Sequence, residues 1–110
     1  MSIEKSHAVD GLGVSRLDGK IILIISDHLA WRDTQQHFDL LEKKVNAYLS
    51  FVASGQLYEV LPDARDKGIR IELIHEHAPD EKAIEFLTAI KEQLNSIGLE
   101  FMATTLPEGY

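Results

Sequence analysis

Two histidines at the carboxyl end of a predicted strand are the first residues that could do chemistry. His75 and His77 stand two residues apart, which puts both side chains on one side of an extended chain, a spacing that metal sites use. Asp27 or His28, at the end of another predicted strand, could supply the third ligand. The structural interpretation is that His75 continues the apolar side of its strand and lies at the rim of the core. The pair is therefore a candidate metal site or part of the packing.

A second group of candidates lies where strands and helices are predicted to meet. Sites in α/β sheets form at the carboxyl ends of strands, and tryptophan and tyrosine are frequent in interface hot spots. We predict an interaction patch made of Asp27, His28, Trp31, Tyr58 and Glu59. The structural alternative is that Asp27 caps a turn, Trp31 packs against the core, and Tyr58 and Glu59 lie in a solvated turn. A helix about 30 Å long separates the first three residues from the last two, which argues against one site made from both.

Motifs for several other chemistries are missing from the sequence. It has no cysteine, which excludes disulfides, thiolate zinc sites and cysteine nucleophiles. It has no G-x-S-x-G and no H-E-x-x-H, and Gly11-x-Gly13 lacks the third glycine and the helix of a phosphate-binding loop. We therefore expect no cofactor, and the sequence favours a protein that is not an enzyme.

The element that must position the candidates is a long amphipathic helix over residues 33–55. Asp33 is a suitable N-cap, and Gly55 suits the left-handed residue that ends a helix. Five polar residues between them are predicted to face water: Asp39, Glu42, Lys43, Lys44 and Asn46. Apolar residues recur every three or four positions and predict a broad buried face, made of Phe38, Leu41, Val45, Tyr48, Leu49 and Val52.

Strands and a second helix surround this central element. Asp18-Gly19 is a hairpin signal between a weak strand and the apolar run KIILIIS. The remaining predicted elements are a strand over 69–75, a helix that begins at Asp80 and a last strand over 99–104. The order is β-β-α-β-α-β. We predict one α+β domain over residues 1–110, with two layers: a mixed sheet of about four strands and two helices on one of its faces.

The sheet face away from the helices would still carry apolar groups. Ile24, Ile74 and Met102 are predicted members, whereas the uninterrupted run from Ile21 to Ile25 leaves its register open. Uncovered apolar patches often mark interfaces. A homodimer is therefore one hypothesis, and cover by the N-terminal segment or by QLYEVLP is the other.

Composition and charge limit the classes of partner. The chain has 110 residues, 45% of them hydrophobic, and a net charge of −7. Residues 1–55 carry a net charge of −1 and residues 56–110 carry −6. Nucleic-acid binding relies on neutralising phosphates with Lys and Arg, so we expect no nucleic-acid partner. No apolar run approaches the roughly 20 residues that span a bilayer, and we expect a cytoplasmic protein with no membrane partner.

Three stretches together resemble a known family. They are ISDHLAW at 25–31, NAYLSFVASGQLYE at 46–59 and the Pro62-Asp63-Ala64 turn. With the start at Val9-Asp10 and a final β-α-β half, the chain is similar to a family of small bacterial proteins known only as an uncharacterised domain. The resemblance implies a compact α+β fold and a bacterial source, and it implies no activity.

Three functions remain in competition. The first is a non-enzymatic module that binds another protein, as adaptors and toxin-neutralising proteins do, through an acidic surface and an aromatic patch. The second is a small metal-dependent or acid–base enzyme that uses His28, His75 and His77. The third is a structural homo-oligomer.

Overall fold

The computed structural model describes residues 9–31, 34–62 and 67–106, and within them it contains four strands and three helices. The predicted α+β architecture is confirmed, with one short helix added after the long one. In chain order the elements are β1 (Gly11–Val14), β2 (Ile21–Asp27), α1 (Thr34–Ala53), α2 (Gln56–Val60), β3 (Ile69–His75), α3 (Glu81–Ser96) and β4 (Glu100–Thr105).

The sheet has the strand order β1-β2-β3-β4. β1 is antiparallel to β2, whereas β2, β3 and β4 are parallel to one another. The connection from β2 to β3 carries α1 and the short α2, and the connection from β3 to β4 carries α3. Because such crossovers are right-handed and both step in the same direction along the sheet, α1 and α3 lie on the same face.

Alternation along β2 and β3 places the core between the sheet and these helices. Every second side chain of both strands is buried, and those between them are half-buried. Phe38 of α1 stacks on Phe86 of α3 with 4.1 Å between ring centroids, which joins the two helices over the sheet. The buried apolar cluster comprises Ile21, Leu23, Ile25, Leu41, Val45, Tyr48, Leu57, Ile69, Ile71, Leu73, Leu87, Ile90, Leu94 and Phe101.

The other face of the sheet carries the residues that alternate with the core. Ile24 and Ile74 are half-buried there and Met102 is exposed, as predicted. Arg70 interrupts this apolar surface and donates hydrogen bonds to Glu72 at 2.9 Å and to Asp18 at 3.0 Å. This face is therefore mixed apolar and charged.

The long helix carries a buried lysine where the sequence predicted an exposed one. The Lys44 side chain is 0% exposed, and its Nζ lies 3.0 Å from Oδ1 of Asp10, whose side chain is also 0% exposed. The prediction that Lys44 faces water is therefore wrong. The reason is its position: residues 37, 41, 44 and 48 follow the three- and four-residue steps of the buried face, so a lysine at 44 points to the sheet.

Tyr48 bridges β1 and β2 at the end of their pairing, where Gly11 lies opposite Ile24. Its hydroxyl accepts a hydrogen bond from the Asp10 N–H at 2.8 Å and donates one to the Ile24 carbonyl at 2.5 Å. Burial raises the pKa of Tyr48 to about 12, and the nearby charge of Asp10 adds to the increase while the hydrogen bond from the Asp10 N–H opposes it. The Tyr48 hydroxyl thus links the Asp10 N–H to the Ile24 carbonyl in place of a direct backbone hydrogen bond.

The turn signals agree with the structure, apart from one residue that lies outside its description. Gly55 has φ 88° and ends α1, as predicted. Gly19 has φ 73° in the connection that joins β1 to β2, and this loop is longer than a two-residue turn because β1 ends at Val14. The predicted N-cap Asp33 falls outside the described residues. No helix within the described ranges combines the length and the apolar content needed to cross a bilayer.

Replacing Lys44 by methionine is expected to lower the free energy of unfolding by about 3–5 kcal/mol, because Asp10 would keep a buried carboxylate without its cation. Lys43 is exposed and adjacent, so Lys43→Met is the matched control and should change stability by less than about 0.5 kcal/mol. Urea denaturation measures both. Equal losses for the two variants would show that Lys44 is not buried against Asp10.

The raised pKa of Tyr48 gives a second prediction. Above pH 10 the unfolded chain loses a phenolic proton that the folded chain keeps up to about 12, so the free energy of unfolding should fall as pH rises through this window. Tyr48→Phe should remove that part of the fall, and Tyr58→Phe should keep it. Denaturation at pH 9, 10 and 11 compares them, and the same slope in all three proteins would refute the assignment.

Candidate functional site

Three polar side chains share one row at the carboxyl ends of the parallel strands. Asp27 of β2 pairs in register with His75 of β3, and His75 pairs with Thr105 of β4. All three continue the side of the sheet that faces the helices, because they fall on the same alternation as the buried core residues. This edge is where open α/β sheets bind ligands.

Asp27 is bonded to the first turns of the long helix. Its Oδ2 lies 2.5 Å from Nε2 of His37, and both side chains are at most 2% exposed. Its Oδ1 accepts a hydrogen bond from the Leu29 N–H at 3.1 Å. Nδ1 of His37 is buried and has no hydrogen-bond partner among the described residues. Asp27 therefore anchors α1 and the turn after β2.

Trp31 covers this pair. Its ring stacks on His37 with 3.9 Å between centroids and 16° between planes, and it meets His75 edge-on at 6.2 Å. Its Nε1 donates a hydrogen bond to the carbonyl oxygen of His77 at 2.9 Å. The indole thus ties the loop after β2 to the loop after β3.

His75 is held by the ends of two strands. Its Nδ1 lies 3.1 Å from the His77 carbonyl oxygen and 3.2 Å from Oγ1 of Thr105. Burial lowers the pKa of His75 below its ordinary value of 6.5, and the nearby His37 adds to the decrease. The His77 carbonyl and Asp27 oppose it. The imidazole is therefore neutral at pH 7.

His75 and Thr105 also line a cavity of about 420 Å³ between α3 and β4. The volume falls in the range of ligand sites, roughly 300–1,000 Å³. One wall is a stripe of α3 at helical spacing, with Lys91 as its charged member. The lining residues are His75, Pro79, Ile84, Leu87, Thr88, Lys91, Phe101, Met102, Ala103 and Thr105. We call this cavity the α3–β4 groove.

The arrangement is suited to binding rather than to nucleophilic catalysis. A nucleophile–base–acid relay needs the carboxylate on the same imidazole that meets the hydroxyl. Here Thr105 meets His75, whereas the carboxylate of Asp27 is bonded to His37. What the groove offers is an apolar surface with a histidine at one end and a lysine along one wall.

The structure divides the predicted interaction patch. Asp27 and Trp31 lie together in the cluster at the strand ends, but Asp27 is 2% exposed and cannot contact a partner directly. His28 is exposed, outside the buried cluster. Tyr58 and Glu59 belong to α2, which follows the far end of α1. The five residues do not form one surface.

The candidate metal ligands are also separated by environment. His75 is 2% exposed, whereas the side chain of His77 is 52% exposed and lies 3.9 Å from Glu76. Of the two candidates for the third ligand, Asp27 is bonded to His37 and His28 is exposed. Within the part of the chain that the structure describes, no group of three or more His, Cys, Asp or Glu residues is arranged to hold a metal ion.

Sequence reasoning missed His37 and Thr105. His37 had a signal, because it stands one turn before Leu41 on the apolar face of α1, where a polar side chain needs a buried partner. Thr105 had none, since its role depends on the register between β3 and β4.

Comparison with known proteins gives a family and no further relative. The model of a family of unknown function, DUF6572, matches residues 1–107. No curated protein and no solved structure matches the chain.

The lowered pKa of His75 predicts acid sensitivity. Below pH 6.5 the unfolded chain takes up a proton that the folded chain resists, so the free energy of unfolding should fall as pH decreases, by at most about 1.4 kcal/mol per pH unit. His75→Gln should flatten the slope between pH 6.5 and the lowered pKa, while His77→Gln should leave it unchanged. Denaturant unfolding across this range measures it, and an unchanged slope in His75→Gln would contradict the burial of His75.

Proposed function

We propose that this chain, which belongs to the family of unknown function DUF6572, is a protein-binding module that takes an extended segment of its partner as an added strand along β4. One observation carries the proposal: β4 is an edge strand that runs beside the α3–β4 groove. Strand addition with alternate side chains in pockets is a recurring mode of peptide recognition.

The unpaired backbone groups of β4 follow from its pairing with β3. The Leu106 N–H donates to the His75 carbonyl at 2.9 Å, so residue 106 points its backbone groups toward β3. Backbone direction alternates along a strand, which turns the N–H and C=O groups of Phe101, Ala103 and Thr105 outward. Within the described ranges, no strand pairs with that side of β4.

After Glu100, the charged residue with which β4 begins, this edge lacks the features that usually protect edge strands. Natural edges carry lysine, proline, bulges or inward-pointing charges that prevent pairing with another chain. From Phe101 to Thr105 the sequence FMATT has neither a charge nor a proline. Residues 102–105 are exposed. An unprotected edge is what a strand-adding partner requires.

The groove supplies the selectivity that backbone pairing lacks. Ile84, Leu87, Thr88 and Lys91 recur at the spacing of one helix face and line the groove above β4. Every second side chain of an added strand would point into it. The partner segment therefore alternates apolar residues on this side, with an acidic residue where it reaches Lys91. We place this interaction in the cytoplasm, in keeping with a sequence that has no cysteine.

The acid–base enzyme is a weaker candidate, because the carboxylate and the hydroxyl at the strand ends contact different histidines. A homodimer that pairs β4 with β4 of a second copy would use the same edge. It is an alternative outcome of the experiment below.

Ala103→Pro tests strand addition directly. The substitution removes an outward N–H and keeps every bond to β3, so the fold should survive. Peptides selected from a random display library on the wild-type protein should bind Ala103→Pro at least about tenfold more weakly, since one hydrogen bond is lost and the ring obstructs pairing. Ala103→Ser keeps the N–H and is the matched control.

The outcomes separate the alternatives. Peptides that bind Ala103→Pro as well as wild type, or a library that yields none, would overturn the proposal. Sedimentation equilibrium that gives a dimer for wild type and a monomer for Ala103→Pro would assign the edge to a second copy instead. Thermal melting confirms that both variants are folded.

A further inference from the structure

One ring nitrogen of His75, at the end of the α3–β4 groove, makes no hydrogen bond to another described residue. His75 is 2% exposed and lines the cavity at the carboxyl ends of the strands. Its ring is fixed on one side by Trp31, whose centroid is 6.2 Å away, and at Nδ1 by the His77 carbonyl and the Thr105 hydroxyl. The orientation of the imidazole is therefore set before any partner binds.

The hydrogen-bond partners identify the tautomer. A carbonyl oxygen only accepts hydrogen bonds, so Nδ1 of His75 carries the hydrogen and donates it to His77 at 3.1 Å. Burial keeps the ring neutral by lowering its pKa. In a neutral imidazole with the hydrogen on Nδ1, Nε2 holds a lone pair and can only accept.

Nε2 has no donor among the described residues. Both of the ring's hydrogen bonds are made by Nδ1. Asp27, which stands next to it in the sheet, offers an acceptor and is already bonded to His37. Unlike the unpartnered Nδ1 of His37, Nε2 of His75 is not fully buried, so a donor that enters the groove can reach it.

We propose that His75 determines the specificity of the groove: its Nε2 accepts a hydrogen bond from a donor side chain, a hydroxyl or a carboxamide, of the bound partner segment. This inference rests on the proposed function, because the donor is delivered by a strand added to β4. The partner class is thus an extended segment with Ser, Thr, Asn or Gln at the position that meets the Thr105 end of β4.

Spacing within the groove sets the rest of the pattern. Ile84 and Lys91 are seven residues apart on α3, which is about 10 Å along the helix axis. Side chains on one side of a strand recur about every 6.6 Å. The partner residues that meet Ile84 and Lys91 are therefore two or four residues apart, on the same side of its strand.

The test is a double-mutant cycle on a peptide selected with the wild-type protein. In the peptide, the donor is replaced by its apolar isostere, Thr→Val or Ser→Ala. In the protein, His75→Leu removes the acceptor, and His77→Leu is the matched control. The peptide change should weaken binding to wild type and to His77→Leu about three- to tenfold and leave binding to His75→Leu unchanged.

A spectroscopic measurement keeps the proposal testable if His75→Leu does not fold. The ¹⁵N resonance of Nε2 in wild-type His75 should shift upfield when the donor-bearing peptide binds and stay in place when the isosteric peptide binds. Thr105→Val retains His75 and should keep the shift, since the carbonyl of His77 still holds Nδ1.

Failure of this inference differs from failure of the proposed function. Selected peptides that lack a common donor, or that lose the same affinity for wild type and His75→Leu when the donor is removed, overturn the role of His75. Strand addition stands in that case if Ala103→Pro still prevents binding. Peptides that bind Ala103→Pro as tightly as wild type would overturn both strand addition and the role of His75.

Discussion

The geometry of the whole molecule depends on the handedness of two successive crossovers. A strand that returns parallel to its neighbour through a helix must turn right-handed, and this chain does so from β2 to β3 and again from β3 to β4. Because both steps go the same way, α1 and α3 cover one face. The carboxyl ends of three strands meet at one edge, and β4 is left at the border of the sheet. The polar row, the groove and the open edge all follow from that constraint.

Packing of the long helix on the sheet brings ionisable groups into the core. His37 and Lys44 are seven residues apart and lie on the most buried line of α1, where each finds a carboxylate, Asp27 and Asp10. A buried charge without its partner costs several kcal/mol, so these contacts specify how α1 sits on the strands. In these contacts the carboxylate of Asp27 is bonded to His37 and not to His75. His75 therefore remains neutral and fixed in orientation beside an apolar groove. There it can accept a hydrogen bond from a bound partner segment.

The sequence was sufficient to predict the arrangement of helices and strands, because the spacing of apolar residues shows which face of each element is buried. The strict alternation in Ile69–His75 and the three- and four-residue steps of α1 predicted which faces are covered. Periodicity could also have placed Lys44 in the core, but a charged residue is assigned to solvent unless its partner is visible. Asp10 is 34 positions away and becomes that partner only through the pairing of β1 with β2.

The site was less accessible to sequence reasoning because it is made by tertiary register. The loops after β2 and β3 were candidates from the sequence alone, since Asp27, Trp31 and His75 all follow or end strands. What the sequence lacks is the information that Thr105 faces His75 and that the helix wall of α3 stands above β4. Those facts come from strand order, which no local pattern encodes.

Amide hydrogen exchange of β4 in the free protein tests the central claim most directly, because it reports on the edge without a partner. At two protein concentrations, the amides of Phe101, Ala103 and Thr105 should exchange rapidly, while those of Met102 and Thr104 should be protected by β3. Equal protection of all five amides in the dilute monomer would show that the chain covers its own edge, and the account of β4 as a binding strand would be wrong.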